Sequence, residues 1–246
     1  MQYQEYQPNT LLSPYVATYW SSHDFGGKGE FYKILPDGCV DIIFTFDKTK
    51  DTFHAIINGT MTSLLEISYP ETVRMFGIRF KPAGITAFTR VSVEEFTNKK
   101  VELAQVETLF DKSFYEALPE KQSIEEIITH TENLLIKRLP CVFYPDRQII
   151  RAVDLIYIAK GQLSPAKTAS EVCLCQRHFE RKFKSAIGIS PKTFAKVIRF
   201  KHALRYLRNQ PTEDLLTVAL ECGYYDHTHL IKDFKMFSGN TPAALR

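Results

Sequence analysis

The chain has 246 residues, 44% of them apolar, and a formal net charge of +3. That length and apolar content suit two folded domains, and no apolar run approaches the roughly 20 residues a membrane span needs. The opening MQYQEYQPNT has neither a basic segment nor an apolar core, which reads against a secretory signal, and the five cysteines (Cys39, Cys141, Cys173, Cys175, Cys222) form no regular framework, which points to reduced thiols and a cytoplasmic setting. The charge is divided unevenly: residues 145–246 hold 17 Lys and Arg against 9 Asp and Glu, whereas residues 1–144 hold 14 against 19. A basic half joined to an acidic half fits one domain that meets a polyanion and one that does not.

Residues 1–120 read as β-rich. Tyr15–Phe25 and Glu30–Leu35 are strand candidates separated by Gly26, Gly27 and Gly29, and Pro36-Asp37-Gly38 is a turn. Val40–Phe46 alternates, with Val40, Ile42, Phe44 and Phe46 on one face and Asp41 and Thr45 on the other, the pattern of a half-buried strand. In Val73–Lys81 the apolar phase slips by one residue beside Gly77, which predicts a β-bulge there; a strand buried on both faces is the competing reading. Pro82-Ala83-Gly84 ends the segment, and short helical stretches follow at Gly84–Thr89 and Val93–Phe96. Strands and turns over about residues 10–85 make a small barrel or sandwich. Aromatic density from Tyr15 to Phe80 suits a solid core first and a ligand pocket second.

Chemistry is sparse in this half. His23, His54 and His130 are far apart, and no phosphate loop, nucleophile elbow or HExxH is present. Asp37 and Asp41 belong to a turn and a strand, and Cys39 reads as a small packing residue. No catalytic residue, cofactor or metal ligand is expected.

Residues 121–145 form a connector. Ser123-Ile-Glu-Glu126 is a capping box, and Ile124, Ile127, Ile128, Thr131, Leu134 and Leu135 make one apolar stripe. Packing on the β-domain ranks slightly ahead of a dimer interface for that stripe. Leu139–Asp146, with Pro140 and Pro145, reads as the hinge.

Residues 146–246 carry one helical pattern twice, at Ser164–Ser185 and Thr212–Phe237: a short helix, a tight turn and a second helix with a charged outer face. A helix over Asp146–Lys160 precedes the first copy, with Ile149, Ile150, Val153, Ile156 and Tyr157 inward and Gly161 as its stop. Ser164-Pro165 starts the next, with Ala166, Ala169 and Val172 as its buried edge, and Cys173-Leu174-Cys175 is the turn. Gln176–Ser185 is the first reading helix, anchored by Phe179 and Phe183. Pro191–Arg208 links the units, with Phe194, Val197, Ile198, Ala203, Leu204 and Leu207 inward. Leu215–Cys222 opens the second unit, and Asp226 caps the second reading helix, which turns Leu230, Phe234 and Phe237 inward before Gly239.

The stretches QRHFERKFKSAIGISPKTFAKVIRFKHAL and GYYDHTHLIKDFKMFSGNTPAALR resemble the DNA-binding domain of AraC-type (AraC/XylS) transcriptional regulators, over about residues 146–246. LPDGCVDIIF resembles a β-rich domain found in some of these regulators. The resemblance implies a seven-helix, double helix-turn-helix domain behind an effector or dimerisation domain, and regulation of promoters. Position by position it implies base contacts from Arg177, Glu180 and Arg181 in the first unit and from Thr228 and Lys232, with His227 adjacent, in the second. Arginine can pair with guanine O6 and N7, and glutamate can accept from cytosine N4. Gln176, Lys184, Arg199 and Lys235 fall to phosphate contact. Cys173 replaces the family's usual glycine, and Cys175 stands where Ser or Thr usually caps the reading helix.

The expected architecture is therefore α+β: a β-rich barrel or sandwich over 1–120, a connector over 121–145 and an all-α seven-helix double helix-turn-helix domain over 146–246. The expected function is sequence-specific binding of double-stranded promoter DNA, answering to a small-molecule effector or partner. Homodimerisation, and contact with RNA polymerase if the protein activates, accompany it; no membrane partner is expected. The rivals are a non-sensing DNA-binding interaction protein and, behind it, a DNA alkyl-repair protein, which would need an activated Cys39.

Overall fold

In the computed structural model, residues 2–23, 31–47, 49–50, 52–106, 110–139, 143 and 145–246 are described. The β-strands are β1 (Gln2–Tyr6), β2 (Val16–His23), β3 (Tyr32–Ile34), β4 (Val40–Asp47), β5 (Thr52–Asn58), β6 (Leu65–Ile67), β7 (Val73–Phe80) and β8 (Lys100–Glu102). Six of them form one antiparallel sheet in the order β1-β2-β7-β4-β5-β8, and β3 pairs with β6 in a separate two-stranded ribbon. The expected β-rich domain is thus an open antiparallel sheet, with β1 and β8 as its edges among the described residues. The sequence's short helical stretches are 3-10 turns at Gly84–Ala87 and Val93–Phe96. The glycines at 26, 27 and 29 lie outside the described residues, as do positions 140–142 and 144 of the Leu139–Asp146 hinge.

The bulge at Gly77 is not formed. β7 pairs with β4 without a break from Val40↔Phe80 to Asp47↔Val73, and the register shift in this region falls instead on β2, between Val16 and Thr18. The strand is buried on both faces: Phe76, Ile78 and Phe80 join the main core, while Val73 and Met75 join Trp20 and Ile43 on the opposite face. Glycine is needed because Trp20 lies against position 77, where a Cβ would overlap the indole. β4 is likewise buried on both faces, with Val40, Ile42 and Phe44 in the main core and Ile43 against Trp20 on the other side.

The main core combines Tyr19, Phe44, Phe76 and Phe80 with Phe110 and Phe114, which follow β8. Two helices follow, α1 (Lys112–Ala117) and α2 (Ile124–Arg138). The α2 stripe packs on this core through Ile124, Ile127, Ile128, Leu134 and Leu135, which is the packing alternative. Ser123 accepts from Glu126 N at 3.2 Å, but Glu126 reaches back to Gln122 N rather than to the serine amide, so the capping box is displaced by one residue.

The C-terminal half comprises α3 (Arg147–Ile158), α4 (Pro165–Glu171), α5 (Gln176–Ile187), α6 (Pro191–Asn209), α7 (Leu215–Glu221) and α8 (His227–Ser238). A 3-10 turn, Pro242–Leu245, takes the place of the seventh helix. Two inward assignments need correction. Tyr157 is 42% exposed, its ring meeting Phe194 edge-on, and Ala152 is buried in its stead. Ala166 faces solvent, and Thr168 with Ala169 forms the buried edge of α4.

Candidate nucleic-acid interface

Each half of the helical domain has its own core, and α6 supplies both. Its first part gives Phe194, Ala195 and Ile198 to a cluster with Ile149, Phe179 and Phe183; its second part gives Phe200, Ala203, Leu204 and Leu207 to a cluster with Val218, Leu230, Phe234 and Phe237. Phe183 meets Phe194 at 5.5 Å and Phe200 meets Phe234 at 5.0 Å, ring centre to ring centre. Phe200 is an anchor that the sequence reading passed over. Because a single uninterrupted helix enters both cores, α5 and α8 are held at a fixed separation.

Local signals fix where each helix starts. Asp146, Ser164, Ser190, Asp214 and Asp226 each accept a first-turn amide, with Asp226 taking His229 N at 2.7 Å. Burial would raise the Asp146 carboxyl, but the Lys182 ammonium beside it and the capped amides outweigh that and hold it below the usual carboxylate range. Cys175 occupies the same extended backbone position before α5 and its side chain makes no cap bond. Cys173 takes the left-handed conformation at φ 56° that the second unit gives to Gly223 at φ 74°.

The outer faces are where the sequence placed them. On α5, Gln176, Arg177, Glu180, Arg181 and Lys184 are exposed; on α8, His227, Thr228, Lys232 and Lys235 are exposed. Gln176 donates to Glu180 at 2.9 Å, and Arg181 lies 3.3 Å from His178 Nδ1. Arg199 departs from this set. Its side chain is 14% exposed, pairs with Asp233 at 3.3 Å and lies over the Tyr224 ring at 4.5 Å, so it ties α6 to α8 instead of standing free for phosphate. Lys196 joins the same carboxylate at 3.7 Å. Between the units runs a cleft lined by Ser164, Lys192, Lys196 and His229. Lys192 and Lys196 carry no signal of this cleft in sequence, because only the folded arrangement of α4, α6 and α8 brings them to it.

The β-domain grips the end of α5. Thr60 Oγ1 donates to Ile187 O at 2.6 Å, Thr97 Oγ1 to Gly188 O at 2.7 Å and Ser92 Oγ to Ser185 O at 3.3 Å. These carbonyls are at the end of the helix, where the intrahelical donors run out. Lys184 Nζ meets Glu94 at 2.5 Å across the same junction. Nothing in the sequence joins positions 60 and 92–97 to 184–188; the signal exists only in the tertiary structure.

Cys39 offers no activated nucleophile. Burial, then the nearby Asp37 and Asp41 carboxylates, push its thiol pKa well up, which keeps it protonated. Among the described residues no group of three or more metal-ligating side chains occurs, and no helix is long and apolar enough to cross a membrane.

A helix-turn-helix domain family matches residues 168–246, and a domain of unknown function (DUF6597) matches residues 4–102. A search of curated proteins returns no match. Among solved structures, a transcriptional regulator with an AraC-type DNA-binding domain from Chromobacterium violaceum is 25% identical, covering 40% of this chain and 88% of its own, at a TM-score of 0.37. ToxT from Vibrio cholerae is 10% identical, covering 99% of this chain and 97% of its own, at 0.45. A DNA-binding transcriptional dual regulator from Escherichia coli K-12 is 20% identical, covering 42% and 91%, at 0.36. The C-terminal half of the chain is a double helix-turn-helix domain. It is set behind an antiparallel β-domain.

Proposed function

We propose that the protein is a sequence-specific regulator of transcription that binds double-stranded promoter DNA through α5 and α8 and answers to a small ligand or partner through its β-domain. The observation that carries this reading is the pairing of two exposed polar helix faces on one shared helix, α6. Two such helices on one rigid support suit two successive major grooves. Arg177, Glu180 and Arg181 read bases from the first unit, and Thr228 and Lys232, with His227 beside them, read from the second. Gln176, Lys184 and Lys235 contact phosphates, and Lys192 meets the backbone that passes the cleft between the units. The protein carries out no catalysis in this reading. A ligand acts by favouring one arrangement of the domains over another, and only to the extent that it binds the two unequally. Homodimerisation and contact with RNA polymerase at activated promoters complete the proposal.

The test is selection of bound sequences from a random duplex pool by the full-length protein at near-physiological salt. Two enriched boxes about one helical turn apart are expected, and a repeat of the pair accompanies a dimer. Binding that stays salt-sensitive but enriches no sequence would refute sequence-specific reading by these helices.

A further inference from the structure

A cavity of about 560 Å³ lies between the outer face of the six-stranded sheet, the β3–β6 ribbon and α6. That volume falls in the range of small-molecule sites. Its floor is apolar, built by Trp20, Ile43 and Met75 from the sheet, with Ile34 and Ile67 facing them from the ribbon. The carboxylates in the floor are already committed. Asp41 accepts from Trp20 Nε1 at 2.9 Å and from Arg79 Nε at 3.1 Å, and Asp37 lies 3.8 Å from the same guanidinium.

The α6 wall is different. Lys201, Arg205 and Arg208 line the cavity as one stripe at i, i+4 and i+7, around the buried Leu204. None of the three has an ion-pair partner among the described residues. A basic stripe on an exposed helix is ordinary solvated surface; here it closes one side of an apolar cavity whose acids are spent. A cation would find no free carboxylate, and an uncharged apolar molecule would make no use of three unpaired cations.

We propose that this cavity binds an organic anion with an apolar or aromatic body, the body against Trp20, Ile43 and Met75 and the charge on Lys201, Arg205 and Arg208. The proposal deepens the ligand response proposed above and rests on it for regulatory meaning, though not for its chemistry. An occupant bears directly on α6, the helix whose other faces build both reading units, so occupancy acts on the element that sets the separation of α5 and α8.

The test uses full-length protein and anilinonaphthalene sulfonate, an aromatic anion, with the uncharged phenylnaphthylamine as its partner probe. Trp20 is the sole tryptophan of the chain and is part of the cavity wall, so energy transfer from it reports occupancy of this site. Saturable transfer is expected, with the anion bound about tenfold more tightly than the neutral probe. Arg205→Glu should remove most of that preference, and the combined Lys201→Gln, Arg205→Gln, Arg208→Gln variant all of it; these exposed positions leave the fold intact. Equal affinity for the two probes, an unchanged preference in the variants or absence of transfer would overturn the proposal. Duplex binding is followed on the same samples by anisotropy, and saturating anion should shift it in the parent protein only; an unshifted duplex affinity would overturn the regulatory half. Loss of probe binding with duplex binding intact counts against the cavity alone, whereas loss of duplex binding with probe binding intact counts against the regulator reading alone.

Discussion

Cys175→Ser should strengthen the start of the first reading helix. Cys175 has φ −68° and ψ 148°, close to the −70° and 149° of Ser164 and the −65° and 153° of Ser190, and both serines accept the amide three residues on. A serine hydroxyl at 175 therefore lies within reach of His178 N with no change in backbone. The gain expected from adding a cap to a formed helix start is about 1 kcal/mol. For a helical domain of roughly 100 residues, that raises the midpoint of thermal unfolding by about 4–8 °C. Locally, exchange of the His178 amide with solvent should slow about fivefold, since 1.4 kcal/mol is tenfold. The assay is hydrogen exchange on the full chain beside thermal unfolding read from the helical signal. Asp226→Ala is the mirror experiment: it removes the 2.7 Å bond to His229 N and should release that amide by a similar factor. If Asp226→Ala accelerates His229 while Cys175→Ser leaves His178 unchanged, the geometric argument for a vacant cap fails.

Arg181→Ala should cost about 1–3 kcal/mol on the selected sequence and relax one base position; equal losses on selected and random duplexes refute its base-reading role. Glu94→Gln frees Lys184 from its partner, so binding to all duplexes should tighten and the salt dependence steepen by about one phosphate contact, as anisotropy across a salt series will show. Cys173→Gly should raise the unfolding midpoint, because glycine takes φ 56° without steric cost; a lowered midpoint contradicts this. The Thr217 hydroxyl and the capped amides hold the Asp214 carboxyl below its usual range, so its contribution is present at neutral pH and is lost as pH falls through the depressed folded pKa. Asp214→Asn should therefore flatten the acid limb of the helical domain's stability curve, and an unchanged limb would argue against the cap as its source.

The helical half was legible because its signals are local. Ser164-Pro165, Ser190-Pro191, Asp214, Asp226 and the glycines at 161, 223 and 239 mark helix ends within a few residues, and Phe179 with Phe183 sets the buried face of α5 by spacing alone. The β-half was legible only in outline. Val73–Phe80 shows a slipping apolar phase whether it bulges or is buried on both faces, and what decides is Trp20, more than fifty positions earlier. Arg199 looked free because Asp233 and Tyr224 reach it only after α8 has folded against α6. Aromatic density marks core at Tyr19, Phe44 and Phe76, yet the cavity is floored by Trp20, Ile43 and Met75 on the other side of the same strands.

The hydroxyls that finish α5 come from a different domain than the helix they finish. The two halves are accordingly not interchangeable modules. A chimaera that moves residues 146–246 behind a foreign partner leaves Ser185, Ile187 and Gly188 with carbonyls that only solvent can satisfy, and one end of one reading helix frays while the other helix is untouched. Grafts that bring Thr60 and the 92–97 turn along should keep their two boxes balanced, and grafts that omit them should read the second box better than the first.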